Sequence, residues 1–400
     1  MEQRATTTWF GVACVIAATA LLSCAANPSK PITALGRGLG LGVEAAAWSP
    51  SGNRLAIANE KRIWIIDATS LNELQVIYCC AKSRSKVKFD YRYGLDNTLV
   101  FLTDQLLATA GMGAMVTIWD VESGARVEAI DWPAEDGYPA SVAYDPVAGT
   151  LAAGTGMGNV FLATPGNEEP PVKLTGVAGI VYALQFGRDP AYLGAAGAGP
   201  DMVIWNIRTL QEFARLPLES PVSDIEPLGQ SGKFLVAGKQ LQVWNFMSAE
   251  AVTALENPDL KGQAAGYGSM TAIGVGALVA IATVPVIGPV IAMNLGGPLL
   301  LNFPLPNTAD ATCSRSVAVT PDGSLLADMH PGITREKIRL IDPANGRVLQ
   351  ELNPRGGDTC GMAFSPDGSR LLIANQHGGQ VYDLNSQTFT PLHTHITKPK

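Results

Sequence analysis

The sequence contains few of the side chains that catalytic and metal sites usually need. Only four of its 400 residues are histidines, and none of its six cysteines belongs to a Cys-x-x-Cys pair. Zinc sites of the usual spacing and thioredoxin-type redox centres are therefore not indicated. The Gly-x-Ser-x-Gly motif, which presents a nucleophilic serine, is also missing. We therefore predict no catalytic residue, no bound metal and no cofactor.

Charged residues are scarce, and basic residues do not outnumber acidic ones. They make up 16% of the chain, against roughly 25% in typical domains. The formal net charge is −7, whereas binding to nucleic acid needs basic side chains that neutralise phosphates. A nucleic-acid partner is not expected. Apolar residues make up 47% of the chain, which fits strands that are buried on both faces.

One pattern of strands and turns recurs, and its clearest copy spans residues 362–384. An apolar run leads into the turn Ser365-Pro366-Asp367-Gly368, a second run covers residues 371–374, and a third ends at Asp383. Proline presets the turn dihedrals, aspartate bonds to its own backbone, and glycine accepts a positive φ. The pattern predicts short antiparallel strands joined by tight turns.

Weaker copies repeat parts of this pattern. Turns of the same kind lie at Pro50 and Pro321, and other third strands end in Trp119-Asp120, Trp205-Asn206 and Trp244-Asn245. The spacing is roughly 40–50 residues, which is the period of four-stranded propeller blades. Residues 43–390 therefore resemble the WD-repeat β-propeller family, although its Gly-His dipeptide is missing from every copy. The resemblance implies an all-β fold, a single β-propeller of seven or eight four-stranded antiparallel blades.

The number of blades depends on residues 264–303. Residues 270–293 carry no charge, and a run of that length suggests a membrane span. Pro285 and Pro289 interrupt the run and would each remove a hydrogen bond from a helix. The alternatives are a degenerate blade, an apolar insertion that contacts a membrane or a partner, and a spanning helix. We favour a folded β segment within the ring.

The first residues have the features of a bacterial export signal. Residues 9–22 are apolar and too short for a membrane span. The following Leu21-Leu22-Ser23-Cys24 resembles the bacterial lipobox. The resemblance implies a signal peptide over residues 1–23 and acylation of Cys24, and several acyl chains anchor a protein stably. The absence of aspartate after Cys24 implies the outer membrane. We therefore expect a cell-envelope protein that faces the periplasm.

Several further residues are candidates for pairing or contact. Cys313 and Cys360 lie near the predicted starts of inner strands in successive blades, where they either form a disulfide in an oxidising compartment or remain buried thiols. Trp132 and Tyr138 lie in a predicted loop and are candidates for a partner surface. Residues 24–42 are a tether or a strand that closes the ring. His393 and His395 lie in a tail, residues 391–400, that supplies no third metal ligand.

Taken together, these features predict a non-catalytic, lipid-anchored propeller that acts as a scaffold for an envelope protein. The membrane contact is the lipid, with residues 270–293 as a second candidate. Propellers present loop-rich faces on a rigid ring, and function usually lies on such loops. One alternative is a propeller enzyme of the hydrolase, lactonase or dehydrogenase type, with a site at the central channel. Another is a glycan-binding propeller.

Overall fold

The repeated stretches form four-stranded antiparallel meanders, because each apolar run is extended and each polar break closes a tight turn. The computed structural model describes residues 45–59, 62–78, 98–110, 115–218, 220–229, 232–238, 240–255, 316–330, 337–355, 359–375 and 378–392. Within these ranges the strands β1–β28 form seven sheets, and each sheet takes its four strands consecutively from the chain.

The seven sheets are the blades of a propeller, and their strands have the following bounds. Blade 1 contains β1 (Ala45–Trp48), β2 (Arg54–Asn59), β3 (Arg62–Asp67) and β4 (Glu73–Ile77); blade 2 contains β5 (Leu99–Phe101), β6 (Leu106–Ala110), β7 (Met115–Asp120) and β8 (Arg126–Asp131). Blade 3 contains β9 (Pro139–Asp145), β10 (Thr150–Thr155), β11 (Val160–Ala163) and β12 (Val172–Leu174); blade 4 contains β13 (Val181–Phe186), β14 (Tyr192–Gly197), β15 (Asp201–Asn206) and β16 (Gln211–Pro217). Blade 5 contains β17 (Asp224–Pro227), β18 (Lys233–Ala237), β19 (Leu241–Asn245) and β20 (Glu250–Leu255). Blade 6 contains β21 (Ser316–Val319), β22 (Leu326–His330), β23 (Lys337–Asp342) and β24 (Arg347–Leu352); blade 7 contains β25 (Thr359–Phe364), β26 (Arg370–Asn375), β27 (Gly378–Asp383) and β28 (Thr388–Pro391).

The first strand of every blade lies at the hub, and these seven strands form a closed circle in which each contacts the next and β25 contacts β1. At this seam the Trp48 Nε1 donates a hydrogen bond to the Ala363 carbonyl over 2.9 Å. The Arg370 guanidinium lies 4.7 Å from the Trp48 ring centroid, and its Nη1 donates to the Ala68 carbonyl over 2.6 Å. An all-β propeller is confirmed, and of the two predicted blade numbers the structure has seven.

Blades 5 and 6 are direct neighbours in this ring, since the Val317 amide donates to the Asp224 Oδ2 over 3.1 Å. Residues 264–303 lie outside the described residues, so their role stays a prediction. The same is true of residues 1–23, 24–42 and 393–400. Residues 24–42 were predicted to be a tether or a strand that closes the ring. In the described structure the outer strand of blade 7 is β28.

The core lies between neighbouring blades. Between blades 4 and 5, for example, Ile204 and Leu216 pack with Val222, Phe234 and Phe246, all of which are buried. Such strands bury both faces, which explains the continuous apolar runs in the sequence. The third-strand tryptophans were predicted to pack between blades, and three of them are buried: Trp64, Trp205 and Trp244.

Six blades share one form of turn between their third and fourth strands. The first turn residue accepts a hydrogen bond from a backbone N–H two or three residues on, as Asp383 does from Ser386 over 2.7 Å. These first residues are Asp67, Asp120, Asn206, Asn245, Asp342 and Asp383. The aspartates that recur at the ends of third strands therefore cap these turns. The hydrogen bonds, chiefly those from Ser386, hold the pKa of Asp383 below its usual value.

The fifth residue of each such turn has a left-handed backbone. These residues are Leu71, Gly124, Leu210, Ala249, Gly346 and Gln387. Because the strands of a meander alternate in direction, these turns lie on the same side of the ring as the turns between first and second strands. We call this side the turn face.

The described part of the chain has no helix that is long and apolar enough to span a membrane. The helix seen there is a single 3-10 turn, Ala134–Asp136, in blade 3.

Candidate functional site

The inner strands enclose a central channel of about 350 Å³, and all seven blades contribute to its wall. Polar and apolar groups both line the wall, and Val100, Val142, Val319 and Met362 are among the apolar lining residues. Pro366, in the turn between the first two strands of blade 7, also lines the channel. The channel therefore extends toward the turn face.

Two acidic side chains of blade 5 contribute to the polar part of the wall. Asp224 and Glu226 both line the channel, and their spacing of two residues in β17 places them on one side of the strand. Asp224 is buried and accepts the Val317 amide. Glu226 is half-buried, and no hydrogen bond from the described part of the chain reaches its carboxyl group. Loss of hydration, and secondly the charge of Asp224, raise the pKa of Glu226 well above its usual value.

A cationic side chain crosses the turn face beside this pair. Arg188 is an exposed residue in the loop between β13 and β14 of blade 4. Its Nη2 donates to the Thr320 carbonyl of blade 6 over 3.2 Å, so the side chain spans the position of blade 5. Its charge lowers the pKa of Glu226, but less than loss of hydration raises it. The channel thus has a positive group near one mouth and a poorly solvated carboxyl group inside.

A second feature is an apolar surface on the turn-face side of blades 4 and 5. We call it the blade 4–5 patch, and it consists of Tyr192, Leu210, Phe213 and Met247. Leu210, Phe213 and Met247 are 45%, 42% and 57% exposed. The Phe213 ring lies 4.8 Å from the Tyr192 ring, edge to face, and 6.3 Å from the buried Phe246 ring. Aromatic residues and methionine are enriched in protein interfaces.

Phe213 also belongs to a repeated irregularity of the outer strands. In five blades the pairing of the fourth strand skips one residue, and each skipped residue is a large exposed hydrophobic one: Leu74, Val127, Phe213, Val252 and Leu349. Bulges of this kind disrupt the open edge of a sheet and prevent pairing with other chains. Phe213 is the aromatic member of these five, and its ring packs against the half-buried Tyr192 and the buried Phe246.

The two aromatic residues predicted for a partner surface lie in the connection between blades 2 and 3. Trp132 is 8% exposed, stacks on Phe161 with ring centroids 4.8 Å apart, and donates from Nε1 to the Gly137 carbonyl over 2.8 Å. Tyr138 is half-buried against Gly156, and burial raises the pKa of its hydroxyl group. Trp132 therefore presents little surface to a partner, and a contact through Tyr138 stays a prediction.

The structure does not describe the side chains of the cysteines for which predictions were made. Cys24, Cys79, Cys80 and Cys313 lie outside the described residues, and Cys360 lies in β25 with its side chain outside the description. Acylation of Cys24 and a disulfide between Cys313 and Cys360 stay predictions. Among the described residues, no group of three or more histidine, cysteine, aspartate or glutamate side chains is placed to hold a metal ion.

Comparison with known proteins shows the fold and no closer relationship. No family model matches the sequence, and no curated protein matches it. Among solved structures, a chain of the "Crystal Structure of Mitotic Checkpoint Complex" is similar with a TM-score of 0.60 and 15% sequence identity. The alignment covers 96% of this chain and 99% of that chain.

This likeness defines the class of the molecule, a seven-bladed β-propeller with WD-like turns and strand ends. In all, 1705 solved chains match it, and a fold so widely shared hosts many functions. The function must therefore be argued from the surface of this chain.

Proposed function

We propose that this protein is a non-catalytic scaffold that binds an envelope protein and is held in the bacterial cell envelope by a lipid on Cys24. The propeller supports this proposal because its closed ring is a rigid frame for surface loops. The proposal depends above all on one observation, the exposed and strained Leu210 in the blade 4–5 patch.

Leu210 has a φ of +58°, a conformation that costs an L-residue roughly 1–2 kcal/mol. Glycine occupies the corresponding turn position in blades 2 and 6. Leu71 has the same conformation in blade 1, but it is 7% exposed, so its burial offsets the strain. Leu210 is strained and also exposed. The Leu210 side chain adds little to the stability of the blade, whereas a bound partner would remove this side chain from water.

The neighbouring side chains extend the surface that such a partner would cover. Phe213 is directed outward by its bulge, and its ring rests on Tyr192. Met247, in the equivalent turn of blade 5, adds a flexible apolar side chain of the kind that adapts to partners. We infer a protein partner with a complementary apolar surface.

The lipid anchor and the envelope location follow from the lipobox resemblance. An anchored scaffold meets partners in the same membrane at a raised effective concentration. This would allow a small patch to work with modest intrinsic affinity.

Crosslinking in the native envelope tests the scaffold proposal. Proteins crosslinked to the full-length chain are compared with those crosslinked to the double variant Phe213→Ser, Met247→Ser. Val127→Ser is the matched control, because Val127 is an exposed bulged residue of blade 2. We expect one partner to be recovered with the unchanged chain and with the control, and to be lost with the double variant. Equal recovery from all three chains, or no partner at all, would refute the proposal.

A further inference from the structure

The side of the ring opposite the turn face is where the chain passes from blade to blade. Each first strand runs toward the turn face and each fourth strand runs away from it, so successive blades are joined on the opposite side. We call this side the connection face. The long stretches outside the described residues all begin or end there, and they are residues 1–44, 79–97, 256–315 and 393–400.

Two large side chains are exposed on the described part of the connection face. Met157, in the turn between β10 and β11, is 64% exposed, and Tyr78, which follows β4, is 57% exposed. The Arg62 guanidinium lies 5.3 Å from the centroid of the Tyr78 ring. Tyrosine and arginine can place their apolar parts in an apolar phase while their polar ends stay in water. These side chains therefore suit the boundary between a lipid bilayer and water.

The turn face carries acidic groups that an anionic lipid surface would repel. Five aspartates there are exposed or half-buried, and hydrogen bonds from neighbouring serine and threonine residues hold the pKa of each below its usual value. They are Asp67, Asp120, Asp322, Asp367 and Asp383. These carboxylates therefore keep their charge well below neutral pH.

Several acidic groups of the connection face are instead paired with cations. Asp136 pairs with Lys173, Asp201 with Arg215, and Glu351 with Lys337. Asp131 and Glu135 are also exposed there. The undescribed connection from Tyr78 to Thr98 contains five basic and two acidic residues in its sequence, and basic clusters are attracted to anionic head groups. Of the two faces, the connection face thus has the charges that better suit a lipid surface.

We propose that the connection face lies against a lipid bilayer of the envelope, with Tyr78 and Met157 at the lipid surface. The turn face, with the blade 4–5 patch, is then directed away from the bilayer and toward a protein partner. The proposal rests on the lipid anchor of the proposed function and adds an orientation to it.

Photocrosslinking to lipid in the native envelope tests the orientation. A photoreactive p-benzoylphenylalanine replaces Met157 in the full-length chain, and the same replacement of Val147 is the matched control. Val147 is an 85% exposed apolar residue of the same blade, but it lies on the turn face between β9 and β10. With radiolabelled phospholipids, we expect at least fivefold more labelled adduct from position 157 than from position 147. The probe at Tyr78 should behave like the probe at position 157.

Equal labelling from positions 157 and 147, more labelling from position 147, or no lipid adduct from either would overturn the proposal. Far-UV circular dichroism and the urea midpoint show that each chain is folded. Fatty-acid labelling of the same chains separates this result from a failure of the anchor. Preferential adducts at position 157 in a chain without acylated Cys24 would support the lipid contact and refute the anchor. An acylated chain with equal adducts would refute the orientation alone.

Discussion

Leu71 and Leu210 provide a matched pair in which the same substitution should have clearly unequal effects on stability. Both have a left-handed backbone at the same turn position, with φ values of +57° and +58°. Replacement by glycine relieves roughly 1–2 kcal/mol of strain at either site. Glycine also adds about 0.5–1 kcal/mol of entropy to the unfolded chain. Backbone effects alone therefore favour each variant by about 0.5 kcal/mol.

The side chains decide the difference between the two sites. Leu71 is 7% exposed, and burial of a leucine contributes about 1.5–3 kcal/mol. Leu71→Gly should therefore destabilise the protein by about 1.5 kcal/mol. Leu210 is 45% exposed and loses only about half of this burial energy, so Leu210→Gly should destabilise the protein by roughly 0.3–1 kcal/mol, less than Leu71→Gly does.

Urea unfolding, followed by tryptophan fluorescence and circular dichroism, measures the free energy of unfolding for both variants, provided that the two probes give coincident transitions. If both substitutions destabilise the protein by the same amount, the assignment of strain and burial at these turns is refuted. The scaffold proposal adds a second expectation for Leu210→Gly. This variant should recover less crosslinked partner than Leu71→Gly does, although it is the more stable of the two variants.

Three further results are expected. Hydrogen bonds, first from Ser365 and then from Ser369, lower the pKa of Asp367 to about 2. The Asp367 carboxylate therefore stabilises the fold above its unfolded pKa of 3.8, and this stabilisation is lost as the pH falls toward 2. The difference in urea midpoint between the unchanged chain and Asp367→Asn should shrink between pH 6 and pH 2, and a constant difference would contradict this. Arg370→Ala removes a charged hydrogen bond and a cation–π contact at the seam, so it should lower the free energy of unfolding by about 2 kcal/mol. The control Arg208→Ala, on the exposed turn of blade 4, should change the free energy of unfolding by less than about 0.5 kcal/mol. Cys24→Ala should abolish incorporation of radiolabelled fatty acid, and unchanged labelling would exclude the anchor.

The blades were predictable because the signals for them are local. A turn such as Ser365 to Gly368 is specified by four adjacent residues, and the Ser365 Oγ indeed accepts the Arg370 amide over 2.9 Å. Apolar runs at a fixed period then identify strands that are buried on both faces. Seven rather than eight blades became clear only from the contact between β17 and β21, which no local pattern encodes.

The candidate sites were much less predictable, because they depend on contacts between distant segments. Glu226 resembles any other polar residue in a strand until the ring closes around it and removes water from its carboxyl group. Trp132 was predicted to face a partner because it follows a strand in a loop, but Phe161, which lies in another strand of the sequence, stacks on its ring. The sequence carries a partial signal for the left-handed backbone at Leu210, because Gly124 and Gly346 occupy the same position in related turns. That comparison needs the turns to be aligned first.

Each blade is one uninterrupted segment of the chain, so the fold does not require the seam to lie between blades 7 and 1. The order of the blades along the sequence is the same as their order around the ring, so the chain crosses six of the gaps between blades, and the gap between blades 7 and 1 is the seam. A chain that begins at β17, ends at β16 and joins β28 to β1 through a short linker should fold into the same ring. The Trp48 and Arg370 contacts would then lie in its interior, and the new termini would open beside Glu226.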